Sequence, residues 1–463
     1  MPLRPTFSRR RPRARGFSLI ELLVVMVILG EIFLAVGILL DVNERTTRIQ
    51  TQVADLQQAL RVGQGDIERF VRIAGRGGLP HGIDLNPPLG SLDLNAFAVH
   101  VRDNVGVGAS PASRDAAIGF AGTPLAATGT DILTVRGCFE SPLFQIRAGD
   151  FTPDLNGDGN RSDGRVLVRN PGPSDLCQDL TMLTQAVGRA LLVVSPLYEP
   201  IVDRTAPANR SFAVGRISAV NPASGFTNAC ATATPEQITV SLDFNPLTDP
   251  YLRPFNANVY PTRLTNAAWV CLLEENRYYV REEYAIPGVA TSELRPRLTR
   301  AALDPGRERP LGATAAEQAA NLRLDLADDI VNLQVALAFD SDNQGAYEDD
   351  INFAGNDDQI VEGTDTASRN TDDWLFNSTG DVVTSNAWRF HTGPPVRTPI
   401  RLEYVRVSLL GRAARPDPKF RARNLVRIED ADFSSAPLNA ANTENARMFR
   451  RRLLQTVIDP RNL

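Results

Sequence analysis

Residues 16–30 read GFSLIELLVVMVILG, and the apolar run continues as EIFLAVGILL to Leu40. From Phe17 to Leu40 the stretch spans roughly 36 Å at about 1.5 Å per residue, enough to cross a bilayer core. Two carboxylates interrupt it, Glu21 and Glu31. An ionisable group in hydrocarbon costs on the order of 2.5–3.5 kcal/mol, so each is a candidate functional position; Glu21 could instead lie near the cytoplasmic interface and snorkel. Upstream, residues 1–16 hold Arg4, Arg9, Arg10, Arg11, Arg13 and Arg15 and no acid; without them the chain keeps 43 basic against 54 acidic residues. A basic arm on an acidic body suits nucleic acid binding or a targeting leader. The apolar run behind it points to a leader whose charge stays in the cytoplasm, with the rest of the chain outside. A secretory signal would have a shorter apolar region and a small-residue boundary after it. Here the marked boundary, Gly16, comes before it.

The helix is expected to continue past the membrane. Ile49, Val53, Leu56, Leu60, Ile67, Phe70 and Ala74 form one apolar face at heptad spacing, with Gly63 at the skipped position. Gly75, Gly77, Gly78 and Pro80 then stop it. Beyond Pro80 the pattern is strand and turn: residues 131–139, 189–198, 213–220, 237–244, 277–286, 329–340, 401–412 and 451–459 are β-branched or aromatic runs bounded by turn formers. A short helix is expected over 315–327. A long helix on an antiparallel sheet gives an α+β fold. The balance of 43% hydrophobic and 22% charged residues over 463 positions excludes a wholly disordered chain, a collagen-like repeat and a polytopic membrane protein. Only His81, His100 and His391 are histidines, too few and too scattered for a histidine-based metal site or triad.

The joint pattern of a basic leader ending in Gly16, the aromatic Phe17, Glu21 as fifth residue after the boundary and an apolar helix resembles the type III signal of type IV prepilins and type II secretion pseudopilins. The resemblance implies cleavage after Gly16 by a prepilin peptidase, N-methylation of Phe17 and a role for Glu21 in assembly. Cleavage creates an α-amine at Phe17 that a carboxylate on a neighbouring helix can neutralise, and pairing recovers much of the cost of burying either charge. Two features depart from the family: no proline stands near Ile38, where many major pilins kink, and Glu31 is unusual.

Four further stretches are similar to the PilW family of type IV pilus assembly minor pilins: RFVRIAGRGGLP (69–80), LADDIVNLQVALAFD (326–340), EYVRVSLLGR (403–412) and RRRLLQTVIDPRN (450–462). The resemblance implies a pilin-like fold: a leader over 1–16, a transmembrane half-helix over 17–40, an amphipathic half over 41–75, a globular domain from 76–140 and 271–463, and a variable β-rich head over 141–270. It implies a minor pilin that primes or joins a filament and presents the head for adhesion, motility or DNA uptake. Its partners would be other minor and major pilins, the peptidase and the inner-membrane assembly platform, with nucleic acid left open. The protein would sit in the inner membrane as a single-pass chain and later on the pilus or cell surface. A large pseudopilin of a type II secretion system is the alternative; from another class, a membrane-anchored adhesin or enzyme.

Cys138, Cys177, Cys230 and Cys271 lie on the exported side, where an even number favours two disulfides with three connectivities open. Two acidic loops are candidates for structural calcium. Asp154, Asn156 and Asp158, with Gly159 at the sixth position, open like an EF-hand loop, and Asn160 and Asp163 offer further oxygens, but Arg165 stands at the twelfth position. Asp340, Asp342 and Glu348 form the second candidate, weakened by Gln344 and Ile351. The ordinary alternative for both is a solvated turn. The fold requires no cofactor otherwise. No Walker, G-x-S-x-G or H-E-x-x-H motif is present, so a structural protein rather than an enzyme is expected.

Overall fold

The structure, a computed structural model, describes residues 18–77, 98–106, 126–152, 163–194, 212–230, 236–244, 267–284, 294–305, 309–312, 314–340 and 401–460. The chain divides into two compact units, Met1–Asp55 and Leu56–Leu463. Helix α1 (Leu19–Arg72) starts in the first and ends in the second. In the first unit residues 18–48 are exposed on every side of the helix. In the second, Leu56, Leu60, Gly63, Ile67 and Phe70 are buried, as heptad spacing predicts, and Val71 is buried beside them. Ile49 and Val53 are half-buried. The helix ends at Arg72, and Gly75 (φ 72°) and Gly77 (φ 101°) adopt the left-handed backbone that the glycine-rich stop anticipates.

In chain order the other elements are β1 (Val99–Arg102), β2 (Ile132–Gly137), β3 (Phe144–Gln145), β4 (Phe151–Thr152), β5 (Asp163–Asn170), α2 (Thr181–Thr184), β6 (Ala190–Val194), β7 (Phe212–Pro222), β8 (Glu236–Asp243), β9 (Trp269–Leu272), β10 (Glu274–Tyr284), β11 (Leu294–Asp304), β12 (Arg309–Pro310), α3 (Ala315–Leu322), β13 (Leu324–Asp328), β14 (Ile330–Asp340), β15 (Arg401–Arg412), β16 (Arg427–Ile428), β17 (Ala431–Asp432) and β18 (Arg451–Ile458). The strands pair antiparallel. One sheet runs β1-β2-β10-β11-β12, with β13 also on β11; a second runs β3-β9-β6-β7-β8-β5-β4; a third runs β14-β15-β18; β16 and β17 form a two-stranded ribbon. This is the expected α+β, pilin-like arrangement, with a β-rich head.

One expectation fails in detail. The helix expected over 315–327 stops at Leu322, and Leu324–Asp328 is a strand on β11. Thr314 and Glu317 form a reciprocal capping box that starts α3. After Arg323 the alternating LDLAD follows a strand period instead, and Asp325 is drawn onto β10 and β11 by Arg281 (2.7 Å) and Arg297 (2.9 Å).

The main core gathers the buried face of α1 with Leu133, Val135, Tyr278 and Leu298 of the first sheet, Leu192 and Val214 of the second, and Leu333, Val407 and Leu409 of the third. A second core covers the opposite face of the seven-stranded sheet, where Val166, Val168, Leu191, Val193, Ile238 and Val240 meet Leu180 and Leu183.

Candidate functional site

The first turn of α1 is chemically the most specific place in the chain. The Ser18 amide donates to Glu21 Oε2 at 3.0 Å, and the Glu21 amide donates to Ser18 Oγ at 3.2 Å. This capping box satisfies two N–H groups that a helix start leaves open, and it puts a carboxylate on the positive end of the helix dipole. The S-x-x-E spacing of Ser18 and Glu21 carries this in the sequence, and it adds a capping role to the assembly and interfacial roles expected of Glu21. Gly16 and Phe17 lie outside the described residues.

Downstream of the cap, α1 is long and apolar enough to cross a membrane. Leu19 is 84% exposed, and even the less exposed apolar residues of the segment, such as Val36 at 47%, remain open among the described residues. Positions 30 and 37 are glycines with open space where a Cβ would stand. A helix that is apolar all round needs lipid or other helices about it. Polar chemistry resumes beyond Asp41, where Arg48 pairs with Glu44 at 2.7 Å and the Thr46 and Thr51 hydroxyls donate to carbonyls four residues back.

The other end of α1 is anchored by contacts the sequence did not disclose. Asp66 accepts from Tyr278 Oη at 2.9 Å and from Arg300 at 3.1 Å, and the Arg300 guanidinium lies 4.6 Å from the centre of the Phe70 ring. Burial, reinforced by the Asp66 charge, pushes the Tyr278 hydroxyl well above its usual value, so it stays a donor. Phe70 meets Phe139 edge to face at 5.0 Å. Beyond the helix, Gly77 runs close to two sulfurs: a Cβ there would stand 2.7 Å from Cys271 Sγ and 2.8 Å from Cys138 Sγ. Those two sulfurs form a disulfide, and Trp269 Nε1 donates to the Gly77 carbonyl at 3.2 Å. Cys177 and Cys230 are exposed thiols.

Of the calcium candidates, Asp154, Asn156, Asp158, Asn160, Asp342 and Glu348 fall outside the described residues. Asp163 opens β5 opposite Asp243, and Asp340 ends β14 opposite Arg401. Among the described residues no group of three or more His, Cys, Asp or Glu side chains could hold a metal ion.

Residues 11–36 match the model of the prokaryotic N-terminal methylation motif. This prepilin-type motif supports a type IV pilin-like or pseudopilin protein. The match covers the leader's end, the Gly16–Phe17 boundary, Glu21 and most of the apolar run that ends at Leu40. It implies processing by a prepilin peptidase and assembly with other pilins, and together with the exposed apolar helix it fits anchoring in the inner membrane. No curated protein and no solved structure matches the chain.

Proposed function

We propose that this chain is a PilW-like minor pilin, which joins a type IV pilus through α1 and presents its β-rich head at the filament surface. The observation that carries this reading is the division of labour within one helix. Residues 19–40, beginning inside the methylation motif, expose apolar side chains all round, whereas Leu56–Val71 are committed to the chain's own core. The first half is therefore available for lipid before assembly and for neighbouring helices after it. The role is structural and needs neither a catalytic residue nor a cofactor.

In this reading Glu21 has two successive partners. Before assembly it closes the capping box with Ser18; in the filament it pairs with the terminal amine of the subunit above, which favours a position beneath another minor pilin. Glu21→Ala should leave membrane insertion and cleavage after Gly16 intact while lowering the amount of protein in sheared pili several-fold. Glu21→Gln keeps an oxygen for the cap and removes the charge, so it should assemble as poorly as Glu21→Ala. N-terminal mass spectrometry of the membrane-extracted protein should find methylated Phe17 first. An intact Met1 leader in wild-type cells would sink the proposal. Wild-type incorporation of processed Glu21→Gln would assign Glu21 to the cap alone. A processed protein that never reaches sheared filaments, in cells whose other pilins do, would favour the secretion pseudopilin.

A further inference from the structure

We propose that Cys177 and Cys230 form a second disulfide on the surface of the seven-stranded sheet, and that a reductant opens it before Cys138–Cys271. Cys177 lies in the segment between β5 and α2, and Cys230 in the segment that follows β7. The two segments are already held together beside the sulfurs. Asn228, two residues before Cys230, donates through Nδ2 to Asp179 Oδ1 at 2.8 Å and to Thr181 Oγ1 at 3.2 Å. Its own Oδ1 accepts from the Leu180 amide at 3.1 Å, and Asn170 Nδ2 donates to its carbonyl at 3.4 Å. This clamp, with Asn228 in a left-handed conformation (φ 60°), sets the two cysteine-bearing segments side by side, and the neighbouring Cys177 side chain is the main cause that raises the Cys230 thiol. Since Cys138 and Cys271 are already joined, only one of the three pairings of four cysteines remains.

The inference rests on the reading that the chain beyond Leu40 is exported, where thiols are oxidised. Oxidation needs a disulfide donor, either a protein or a small-molecule disulfide. The Cys177 thiolate attacks one donor sulfur, forming a mixed disulfide and releasing the other donor sulfur as a thiolate. Cys230 then loses its proton and displaces the remaining donor sulfur. Two cysteine thiols become one disulfide, and the donor gains the two electrons and leaves as a dithiol or two thiols. Cys230 is the second nucleophile because the neighbouring Cys177 side chain pushes its thiol up to about 11, which makes its thiolate scarcer than that of an ordinary cysteine. The closed loop contains α2, β6 and β7, so the bond ties one end of the head. Exchange needs an attacking thiolate to reach a sulfur. Both surface cysteines are exposed, whereas Cys138 and Cys271 are fully buried, which sets the order of reduction.

The test uses the full chain extracted from membranes, denatured in acid, alkylated without reduction and digested. Mass spectrometry should find a Cys177–Cys230 cross-linked peptide beside the Cys138–Cys271 one. If the buried pair is linked but Cys177 and Cys230 are alkylated, or bonded to another chain, the proposal fails and export stands. If neither pair is linked, both fail together. Under graded reductant on the folded protein, Cys177 and Cys230 should label several-fold faster than the buried pair; equal rates overturn the second half of the proposal. Cys177→Ser should leave one alkylatable thiol at Cys230 with Cys138–Cys271 intact. A Cys230 still blocked in that variant has another partner, which also overturns it.

Discussion

Asp131 is fully buried, and its two carboxylate oxygens accept from the Asn104 amide at 2.9 Å and the Val335 amide at 2.7 Å. Its own N–H donates to the Leu333 carbonyl at 2.9 Å. One residue thus stands in for a stretch of paired strand, fastening the start of β2 to the edge of β14. Burial is the main force raising its pKa well above the ordinary 3.8; Asp103 and Asp430 add repulsion, and the two amide donors oppose them. A carboxyl raised in the folded state binds its proton more tightly there than in the unfolded chain. The stability it contributes is therefore complete below the unfolded value and is lost as pH rises through the folded one. Asp131→Asn offers one acceptor oxygen to two N–H donors and should cost about 1–3 kcal/mol. The gap between wild type and variant should widen as pH falls from about 7 to about 4, because only the wild type gains a proton. Denaturation of both proteins across that range, showing a constant gap, would contradict this. Nothing in the sequence marks Asp131 apart from the other acids, because its role depends on Leu333 and Val335 arriving beside it.

Within α1 two glycines two residues apart test how the helix meets its sheets. The heptad face from Leu56 to Ala74 is legible in the sequence because a helix packed on one side repeats its apolar residues. Gly63 reads there only as a gap in the pattern. In the structure a Cβ at that position would stand 2.6 Å from Leu298 Cδ2 and 3.7 Å from Ala327 Cβ and Leu409 Cδ1, so the missing side chain lets the helix approach β11, β13 and β15. Gly63→Val should therefore destabilise by about 1–3 kcal/mol through overpacking, beyond any gain in propensity. Gly65 faces open space, and Gly65→Ala should stabilise by about 0.5–1 kcal/mol. Equal shifts in the melting of the two variants would mean that propensity, not contact, governs both. The strands divide in the same way. β2, β6, β7 and β14 are legible from their β-branched runs, but β11 (LRPRLTRAALD) is not, because Arg295, Pro296, Arg297 and Arg300 break its apolar signal. Those arginines are placed by partners distant in the chain: Arg297 meets Asp325 and Arg300 meets Asp66. The capping box at Ser18 is legible in the S-x-x-E spacing; the anchoring of Phe70 by Arg300 is not legible, because the two lie far apart in the chain.

At the scale of the molecule, a disulfide and two ion pairs among the described residues clamp the seven-stranded sheet to the six-stranded one. Cys138, just after β2, is bonded to Cys271 of β9. Arg216 of β7 meets Asp304 of β11 at 2.6 Å, and Arg189, just before β6, meets Glu274 of β10 at 3.0 Å. The disulfide partners lie 133 residues apart, so cysteine parity hinted at bonds but could not choose them. The Arg216–Asp304 pair is the more exacting clamp, since its side chains are only 3% and 8% exposed. Asp304 also accepts from the Ala190 amide at 3.2 Å, and Arg216 donates to the carbonyls of Gly188 at 3.3 Å and Pro305 at 2.8 Å. Taking two charges out of water makes such a pair a weak net stabiliser, but removing one partner strands the other in low dielectric. Asp304→Ala should cost about 3–5 kcal/mol, close to or above the 2–4 kcal/mol typical of a disulfide. Replacing both partners by apolar residues, Arg216→Met with Asp304→Leu, should recover much of that loss, because no buried charge is then left alone. Urea denaturation of the full chain in detergent, with the Cys138–Cys271 bond intact throughout, separates the cases. If the double variant is no more stable than Asp304→Ala, the loss comes from the Ala190 amide and from packing, and the carboxylate was not what made a buried arginine tolerable between the two sheets.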